Sequence, residues 1–212
     1  MAKHLILVAG NIGAGKTTLT ERIGARLGWW TGYESVADNP YLPDFYADMR
    51  AWSFHSQIFF LGRRLKDLRR LMDFPRTVVQ DRSVYEDAEI FAKNLYRQGF
   101  IGERDWASYH ELYQALAKLL PPPDLIVYLQ ATVPTLLRRI ALRGREYEKK
   151  IAPDYLAQLN TLYEEWIADF RLCPVLVVPA DRLDYVANGG HLDLILEKIQ
   201  DKLRGEQMVL FD

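Results

Sequence analysis

Hydrophobic and polar positions divide the chain into two kinds of segment. Short, almost wholly apolar runs predict buried parallel strands, whereas longer segments of mixed polarity predict helices. Strands are predicted at Leu5 to Ala9, Trp29 to Glu34, Arg76 to Asp81, Leu125 to Leu129 and Val175 to Val178. Because helical segments separate them, the pattern predicts an α/β fold in which helices flank a five-stranded, mainly parallel sheet on both faces.

The predicted helices fill the intervals between these strands, and proline and glycine mark several of their ends. The segment Ser35 to Pro43 contains Asn39-Pro40 and is predicted to be a loop. Helices are predicted at Lys16 to Leu27, Ala51 to Met72, Tyr85 to Tyr96, Glu103 to Leu120, Val133 to Arg143, Asp154 to Phe170 and Leu192 to Leu203. No repeat or linker interrupts this order, so residues 1–212 are expected to form a single domain.

Composition narrows the class of protein. The 212 residues include 27 Lys plus Arg and 28 Asp plus Glu, and this balance gives no sign of binding to a nucleic-acid polymer or a membrane surface. No stretch reaches the about 18 consecutive apolar residues of a transmembrane helix. The lone Cys173 cannot form an intrachain disulfide, so a cytoplasmic location is expected.

A phosphate-binding motif directly follows the first predicted strand. Glycines in such a loop let backbone N–H groups converge on phosphate oxygens, and the following helix N-terminus adds a partial positive charge. Lys16 is expected to reach the β- and γ-phosphates of ATP, and the Thr17 hydroxyl to ligate Mg²⁺. With Thr18 added, the predicted ATP-binding segment is Gly10-Asn11-Ile12-Gly13-Ala14-Gly15-Lys16-Thr17-Thr18, whose first eight residues fit G-x-x-x-x-G-K-[ST].

Charged residues also stand where the second and third strands end. The second strand ends in Glu34 and the third in Asp81-Arg82-Ser83. Ligands of parallel sheets bind at the carboxyl ends of the strands, where these residues lie. A carboxylate after a strand is what P-loop proteins use near Mg²⁺, so Asp81 is a candidate metal residue, with a loop or capping role as the alternative.

The helix after the fourth strand is rich in arginine. Arg139 and Arg143 are four residues apart and therefore lie on one helix face, and Gly144 and Arg145 follow. A helix that ends in glycine suits a mobile lid, here about residues 143–152, whose arginines close over phosphates. The alternative is a solvated basic face.

The long helix predicted at Ala51 to Met72 carries polar groups on a partly apolar face. Gln57 and Arg64 are seven residues apart, which is two helical turns. In the helix after the third strand, Asp87 is a candidate partner for Arg64, and Phe91 is a candidate to stack on a base. These four residues suit either a pocket for a planar polar ring or a satisfied structural network.

Together these segments resemble the deoxynucleoside kinase family, especially its bacterial deoxyadenosine and deoxyguanosine kinases. The resemblance runs from the P-loop to the last strand. Its matching pieces are the P-loop, Glu34 with Asp38-Asn39-Pro40-Tyr41-Leu42, Ser56-Gln57, Asp81-Arg82-Ser83 and Leu142-Arg143-Gly144-Arg145. The resemblance implies a P-loop kinase with an arginine-bearing lid, a homodimer, and transfer of the γ-phosphate of ATP to a deoxynucleoside 5′-hydroxyl.

The resemblance also implies roles at the reacting end. Glu34 looks like the general base that takes the proton of the 5′-hydroxyl. Arg82 looks like the residue that holds this carboxylate and the 5′-oxygen, and Asp81 like the residue that helps to place Mg²⁺. The positions that match the family's lid arginines are Arg139, Arg143 and Arg145.

For the nucleoside, Tyr46 and Glu148 match the pair that holds the sugar 3′-hydroxyl, and Gln57 matches the glutamine that binds the base edge. The positions that sort bases and stack on them are matched by Arg64, Asp87 and Phe91. Asp181 lies where the family's loop contacts the ATP adenine. These matches imply a deoxyadenosine or deoxyguanosine substrate, with deoxycytidine as a further candidate.

Three departures and two alternatives accompany this interpretation. The lid reads Arg145-Glu146-Tyr147-Glu148, so the choice of Glu148 over Glu146 rests on spacing alone. Asn39 stands where family members specific for other nucleosides often have an aromatic, and Asp81 stands where many animal relatives have Glu. A kinase of nucleoside monophosphates would share the P-loop and the lid, but Glu34 would repel a phosphorylated acceptor. A module that binds ATP without catalysis is the second alternative.

Overall fold

The computed structural model describes residues 3–33, 39–72, 74–145, 148 and 151–205. The chain forms two compact units. The first contains residues 1–33, 74–82 and 122–212, and the second contains residues 34–73 and 83–121. Because compact units of one chain need not be independent domains, the single domain expected from the sequence stays a prediction.

The first unit contains a parallel sheet that has five strands among the described residues. They are β1 (Leu5–Gly10), β2 (Trp30–Gly32), β3 (Val78–Asp81), β4 (Leu125–Gln130) and β5 (Val175–Pro179). The order β2-β3-β1-β4-β5 places β1 at the centre. In this register Val8 lies opposite both Asp81 and Val127, so the loop after β1 and the end of β3 lie at the same edge. The predicted parallel sheet is confirmed.

The helices of the described chain follow in order, and one stretch is π-helical. They are α1 (Lys16–Leu27), α2 (Leu42–Ala47), α3 (Met49–Met72), α4 (Val84–Glu86), the π-helical segment (Asp87–Ala92), α5 (Lys93–Arg97), α6 (Glu103–Ala117), α7 (Val133–Arg143), α8 (Pro153–Asp169) and α9 (Gly189–Leu203). None of the described helices combines the length and the apolar character needed to span a membrane.

The core of the first unit lies around the central strands. Ile6 and Val8 of β1 and Val127 of β4 are fully buried. Leu19 of α1 and Ile195 of α9 belong to the same apolar cluster. Burying each such side chain stabilises the folded state by about 1.5–3 kcal/mol. This is an upper value, because the unfolded chain is compact and already buries part of its apolar surface. This packing fixes the central strand, and with it the loop that follows β1.

The second unit consists of the helices α2 to α6 and the π-helical segment. One of its apolar clusters contains the buried Phe45, Leu95 and Ile101. Beside them, the rings of Tyr96 and Trp106 stack with centroids 4.9 Å apart and planes 7° apart. Offset aromatic stacking of this kind adds about 0.5–1.5 kcal/mol to area burial.

Three expectations about the elements are corrected. Leu42 and Pro43 were predicted to be loop but begin α2, since proline is tolerated in the first turn of a helix. The continuous helix predicted at Tyr85 to Tyr96 is interrupted by the π-helical segment. The last helix begins at Gly189 and not at Leu192, because Asn188 caps it by accepting from the Gly190 N–H.

Candidate active site

The predicted site residues fall into two groups. The first unit holds the P-loop with Asp81, Arg82, Arg139, Arg143, Arg145, Glu148 and Asp181. The second unit holds Tyr46, Gln57, Arg64, Asp87 and Phe91. Glu34, the predicted base, lies outside the described residues.

The ammonium group of Lys16 is bound by carbonyls of its own loop. Lys16 Nζ donates to the Gly10 carbonyl at 2.7 Å and to the Asn11 carbonyl at 3.1 Å. The Gly10 carbonyl also accepts from the Tyr163 hydroxyl at 2.8 Å. Lys16 is 7% exposed, so its charged ammonium group is largely removed from water, and these contacts fix its position.

The far side of the P-loop is bound by Arg139 and Tyr185. Arg139 donates to the Ala14 carbonyl at 2.8 Å and to the Ala180 carbonyl at 2.7 Å. The Tyr185 hydroxyl donates to the Gly15 carbonyl at 3.1 Å. Burial raises the pKa of Tyr185 to about 12, although Arg139 opposes the shift, so the hydroxyl keeps its proton at neutral pH. With the carbonyls turned outward, the loop can present N–H groups inward.

Two glycines of the loop are required by geometry. Gly13 has φ 83° and Gly15 has φ 102°, which is the left-handed region that favours glycine. A Cβ at Gly15 would also overlap the Tyr185 hydroxyl. The helix that follows, α1, has no side-chain cap and no acidic residue in its first turn. Its N-terminus therefore retains donors and a partial positive charge for an anion.

The side chain of Asn11 is used within the protein. Its Nδ2 donates to the Leu156 carbonyl at 2.9 Å and to Asn160 Oδ1 at 2.8 Å, and its Oδ1 accepts from the Ile12 N–H at 2.7 Å. Asn160 Nδ2 in turn donates to the Ala131 carbonyl at 3.0 Å. The predicted contribution of Asn11 to ATP binding therefore rests on its backbone.

Thr17 and Asp81, the two residues predicted to hold a metal, are in direct contact. The Thr17 hydroxyl donates to Asp81 Oδ2 at 2.5 Å. Asp81 is 2% exposed, and its Oδ1 is buried without a hydrogen-bond partner among the described residues. No described cluster of three or more His, Cys, Asp or Glu could hold a metal, but Mg²⁺ on a nucleotide needs only one or two protein oxygens beside phosphates and water. The pair fits such an ion.

Arg82 adopts a strained backbone. Its φ of 64° is the only positive value at a non-glycine residue of the described chain. Its N–H donates to the Val8 carbonyl at 3.1 Å, which ties the residue to the central strand. A left-handed conformation at a non-glycine residue costs about 1–3 kcal/mol and occurs preferentially at functional sites.

The described part of the lid contains an acid and two arginines. Arg143 donates to Glu148 Oε2 at 2.6 Å through Nη2 and at 3.0 Å through Nε. Arg145 reaches Glu148 Oε1 at 3.4 Å. Glu148 is 5% exposed, so both arginines neutralise a buried carboxylate. Gly144, at φ 70°, ends α7 as predicted; residues 146, 147, 149 and 150 lie outside the described chain.

The carboxylate of Asp181 is turned toward the start of α7. It accepts from the Thr132 N–H at 3.0 Å and from the Thr132 hydroxyl at 3.2 Å. Desolvation raises its pKa, but hydrogen bonds from Thr135 and Thr132 and the charge of Arg139 outweigh it and hold the pKa below the usual 3.8. Its predicted adenine contact stays a prediction.

In the second unit, Ser83 starts the segment that carries two predicted base-contacting residues. Its hydroxyl accepts from the Glu86 N–H, and the Glu86 carboxylate accepts from the Ser83 N–H at 2.9 Å, which forms a capping box. The π-helical segment then begins at Asp87 and contains Phe91, which is buried. π-Helical turns are rare and occur often at functional sites.

Arg64 and Asp87 form the pair that the sequence suggested. Arg64 Nε donates to Asp87 Oδ2 at 2.7 Å, with the side chains 6% and 4% exposed. On the same helix as Arg64, Gln57 is 5% exposed, and its Oε1 is buried without a partner among the described residues. A buried amide oxygen left unpaired costs about 1–3 kcal/mol. A donor from beyond the described residues would satisfy this oxygen.

Tyr46 and Asn39 are two further residues of the predicted nucleoside-binding segments. Tyr46 is 40% exposed, and its ring packs edge-on against Phe45 with centroids 5.2 Å apart. Asn39 donates to the Ser56 hydroxyl at 2.9 Å and accepts from the Tyr41 N–H at 2.9 Å. The Asn39 amide is therefore a buried connection between two parts of the predicted motif.

Four polar residues at these sites were missed by the sequence analysis. Asn160, Tyr163 and Tyr185 contact the P-loop from positions at least 149 residues away in sequence, and no local pattern signals such a contact. Tyr109 is fully buried, and its hydroxyl has no hydrogen-bond partner in the described ranges. Burial, followed by the charge of Asp87, raises its pKa well above 10.

Comparison with known proteins adds an independent finding. The family model "Deoxynucleoside kinase" matches residues 6–204. The deoxyadenosine/deoxycytidine kinase of Bacillus subtilis is 38% identical over 205 residues, covering 96% of this chain and 94% of the relative. The deoxyguanosine kinase of Bacillus subtilis is 36% identical over 92% and 96% of the two chains. The structure of the deoxyadenosine kinase of M. mycoides with bound dATP superposes with a TM-score of 0.80, at 32% identity and covering 93% and 99%.

Proposed function

The chain belongs to the deoxynucleoside kinase family, and we propose that it phosphorylates the 5′-hydroxyl of deoxyadenosine or deoxyguanosine in nucleotide salvage. The observation that carries this preference is the buried Oε1 of Gln57, which has no hydrogen-bond partner among the described residues, on the same helix as Arg64 of the buried pair Arg64–Asp87. An exocyclic amino group or a ring N–H of a base would satisfy this oxygen.

The amide of Gln57 suits a two-point contact. It offers one acceptor and two donors, so Oε1 can take an amino N–H of adenine while Nε2 donates to the neighbouring ring nitrogen. The ion pair Arg64–Asp87 presents both donors and an acceptor and fills space that the 5-methyl group of thymine would need. Thymidine is therefore expected to be a poor substrate, and deoxycytidine an intermediate one.

The names of the relatives support both purines. One Bacillus subtilis relative is named a deoxyadenosine/deoxycytidine kinase and another a deoxyguanosine kinase, and the M. mycoides deoxyadenosine kinase was solved with dATP and with dCTP. Their identities to this chain, between 32% and 38%, support the class of acceptor and leave the choice between adenine and guanine to experiment.

The residues around the triphosphate act by position and charge. Phosphoryl transfer needs little covalent chemistry from the protein. The P-loop N–H groups and Lys16 hold the phosphates, Glu34 takes the proton of the 5′-hydroxyl, and Arg82 holds that carboxylate and the 5′-oxygen. Thr17 and Asp81 would hold Mg²⁺, which neutralises phosphate charge when bound. Arg143 and Arg145 would reach the γ-phosphate, and Tyr46 and Glu148 the sugar 3′-hydroxyl.

Two further proposals rest on the family resemblance, for the homodimer, and on the single Cys173, for the location. We expect a homodimer and a cytoplasmic location. Sedimentation at micromolar concentration tests the first.

Substitution of Gln57 tests the base contact. Gln57→Leu keeps the volume and removes both polar atoms. Since a two-point base contact is worth about 1–3 kcal/mol, kcat/KM for purine deoxynucleosides should fall about 10- to 100-fold. The KM for ATP should stay within about 2-fold, because no role in ATP binding is assigned to Gln57.

The matched control is Lys66→Gln, an exposed change on the same helix. It should leave kcat/KM unchanged for every nucleoside. If Gln57→Leu retained the wild-type kcat/KM for deoxyadenosine and deoxyguanosine, the amide would not read the base, and the proposed preference would lose its basis.

A further inference from the structure

Two side chains of α8 form hydrogen bonds with the P-loop. Tyr163 donates from its hydroxyl to the Gly10 carbonyl at 2.8 Å. Asn160 accepts from Asn11 Nδ2 at 2.8 Å and donates to the Ala131 carbonyl at 3.0 Å. The two residues are three positions apart and therefore share one helix face. None of the roles assigned above uses them.

The contact of Tyr163 bears directly on Lys16. The Gly10 carbonyl accepts from the phenol and from the lysine ammonium, which lies 2.7 Å away. A carbonyl whose direction is fixed by one donor holds a second donor in a defined place. The Tyr163 hydroxyl and the Lys16 ammonium therefore share one acceptor, the Gly10 carbonyl oxygen. This ammonium is the charge that P-loop kinases direct at the β- and γ-phosphates.

The contact of Asn160 acts on the next residue of the loop. Through Asn11 it ties the loop to α8, and through Ala131 it ties both to the segment that joins β4 to α7. The Asn11 amide also donates to the Leu156 carbonyl at 2.9 Å. The turn from Gly10 to Asn11 is therefore hydrogen-bonded to α8 at Leu156, Asn160 and Tyr163, and through Asn160 it is connected to the segment between β4 and α7.

We infer that Asn160 and Tyr163 are positioning residues for phosphoryl transfer, which hold the P-loop and Lys16 in the arrangement that receives the triphosphate. Neither side chain needs to touch ATP. They act through the Gly10 carbonyl and the Asn11 amide, and they remove the need for the loop to reorganise when phosphates bind. This inference rests on the kinase activity of the family but not on the purine preference.

Tyr163→Phe is the sharpest variant. It removes only the hydroxyl and keeps the ring, which is fully buried and stacks on Tyr128 with centroids 5.6 Å apart. Small misplacements of catalytic groups have large effects on rate, so kcat should fall about 10-fold or more while the nucleoside KM stays within about 2-fold. Asn160→Asp is the second variant, because it keeps the acceptor for Asn11 and loses the donor to Ala131.

Binding of inorganic tripolyphosphate gives a readout that is independent of base and sugar. Measured by calorimetry, its Kd should rise about 5-fold or more in Tyr163→Phe, since the loop N–H groups and Lys16 are its expected partners. The matched control is Thr161→Ala, which removes an exposed hydroxyl on α8 that donates to the Ala157 carbonyl. It should leave kcat and the tripolyphosphate Kd unchanged.

Thermal unfolding of all three variants separates positioning from stability. The inference holds if Tyr163→Phe loses kcat and tripolyphosphate affinity at a temperature where it is fully folded. It is overturned if folded Tyr163→Phe keeps wild-type values of both, or if Thr161→Ala loses as much. Since Tyr163→Phe decides alone, failure of Asn160→Asp to fold leaves the test intact. The acceptor is whichever deoxynucleoside the wild type uses best, so an error in the proposed base preference does not affect the outcome.

Discussion

The charged side chains of the P-loop and the lid are hydrogen-bonded to other groups of the protein. Lys16 donates to two loop carbonyls, and Arg143 and Arg145 hold Glu148. Each of these contacts is made by a group that the proposed mechanism assigns to a substrate. At the scale of single residues, each of these groups can therefore be tested by a substitution that removes its charge.

The first prediction concerns Lys16. Lys16→Ala removes the charge aimed at the transferred phosphoryl group, and kcat should fall about 10²- to 10³-fold or more. The change removes the hydrogen bonds of Lys16 to the Gly10 and Asn11 carbonyls, so thermal unfolding is measured as well, to show that the variant is folded at the assay temperature. Arg138→Ala, an exposed change on α7, serves as the control. Wild-type turnover of Lys16→Ala, measured by phosphorylation of the nucleoside, would refute the P-loop assignment.

The second prediction concerns Glu148 and the sugar. Glu148→Gln keeps the shape but weakens the acceptor for the 3′-hydroxyl. A deoxynucleoside should therefore lose kcat/KM in this variant, whereas its 2′,3′-dideoxy analogue should lose much less, with a coupling of about 10-fold. The measurement is kcat/KM for both acceptors on both proteins. Equal losses of kcat/KM for the two acceptors would mean that Glu148 does not bind the 3′-hydroxyl and instead holds Arg143 in place.

At the scale of elements, the predicted base-sorting residues lie on two helical segments of one unit. Arg64 belongs to α3, and Asp87 opens the π-helical segment. Both side chains of this ion pair are buried. Removal of one partner leaves a buried charge unpaired at a cost of about 3–5 kcal/mol, whereas removal of both can be nearly neutral.

The third prediction uses this asymmetry. The double variant Arg64→Met with Asp87→Ala should open an apolar space and raise the thymidine-to-purine ratio of kcat/KM about 10- to 100-fold. A matched control lies on the same helix, where Arg63 pairs with Asp67 at 3.5 Å and both are partly exposed. Arg63→Met with Asp67→Ala should leave the ratio unchanged. A ratio that does not move in the buried double variant would show that this pair does not sort bases.

The fourth prediction concerns the start of α7. The lowered pKa of Asp181 means that its carboxylate stabilises the folded state above the usual pKa of 3.8, and that this stability is lost as pH falls through the lower folded value. Urea unfolding of wild type and Asp181→Asn should therefore show a difference in free energy at pH 7 that shrinks below about pH 4. A difference that is constant with pH would mean that the charge is not involved. Asp44→Asn, at an exposed residue, is the control.

The elements that the sequence predicted well are those with a strong local signal. Lys16 to Leu27 and Val133 to Arg143 match α1 and α7 at both ends, because glycine follows each helix and hydrophobic spacing fills it. The π-helical segment has no such signal, since its extra residue per turn depends on packing in the second unit. The short helix α2 was missed because Pro43, which usually signals a loop, is compatible with its first turn.

Site residues divide in the same way. Motif residues such as Lys16, Thr17 and Asp81 were predicted because their chemistry is encoded within a few positions. Tyr163 and Tyr185 reach the P-loop from 153 and 170 positions away. Only the folded chain brings them there, so no reading of the local sequence identifies them.

At the scale of the whole molecule, the central claim is that the chain transfers the γ-phosphate of ATP to a purine deoxynucleoside. The family assignment supports the reaction, and the Gln57 oxygen, which lacks a partner within the described part of the chain, supports the base. A monophosphate kinase would share the P-loop but would require a phosphorylated acceptor. A module that only binds ATP would share the loop and transfer nothing.

The most direct test is a phosphorylation assay of the wild-type protein with γ-labelled ATP and Mg²⁺. The acceptors are deoxyadenosine, deoxyguanosine, deoxycytidine, thymidine, adenosine and the monophosphates dAMP and dTMP, and the site of phosphorylation is read by phosphorus NMR. The proposed function predicts 5′-monophosphates of the purine deoxynucleosides as the products with the highest kcat/KM, and no transfer to dAMP or dTMP. Preferred phosphorylation of a monophosphate or of thymidine, or ATP binding without transfer to any nucleoside, would contradict it.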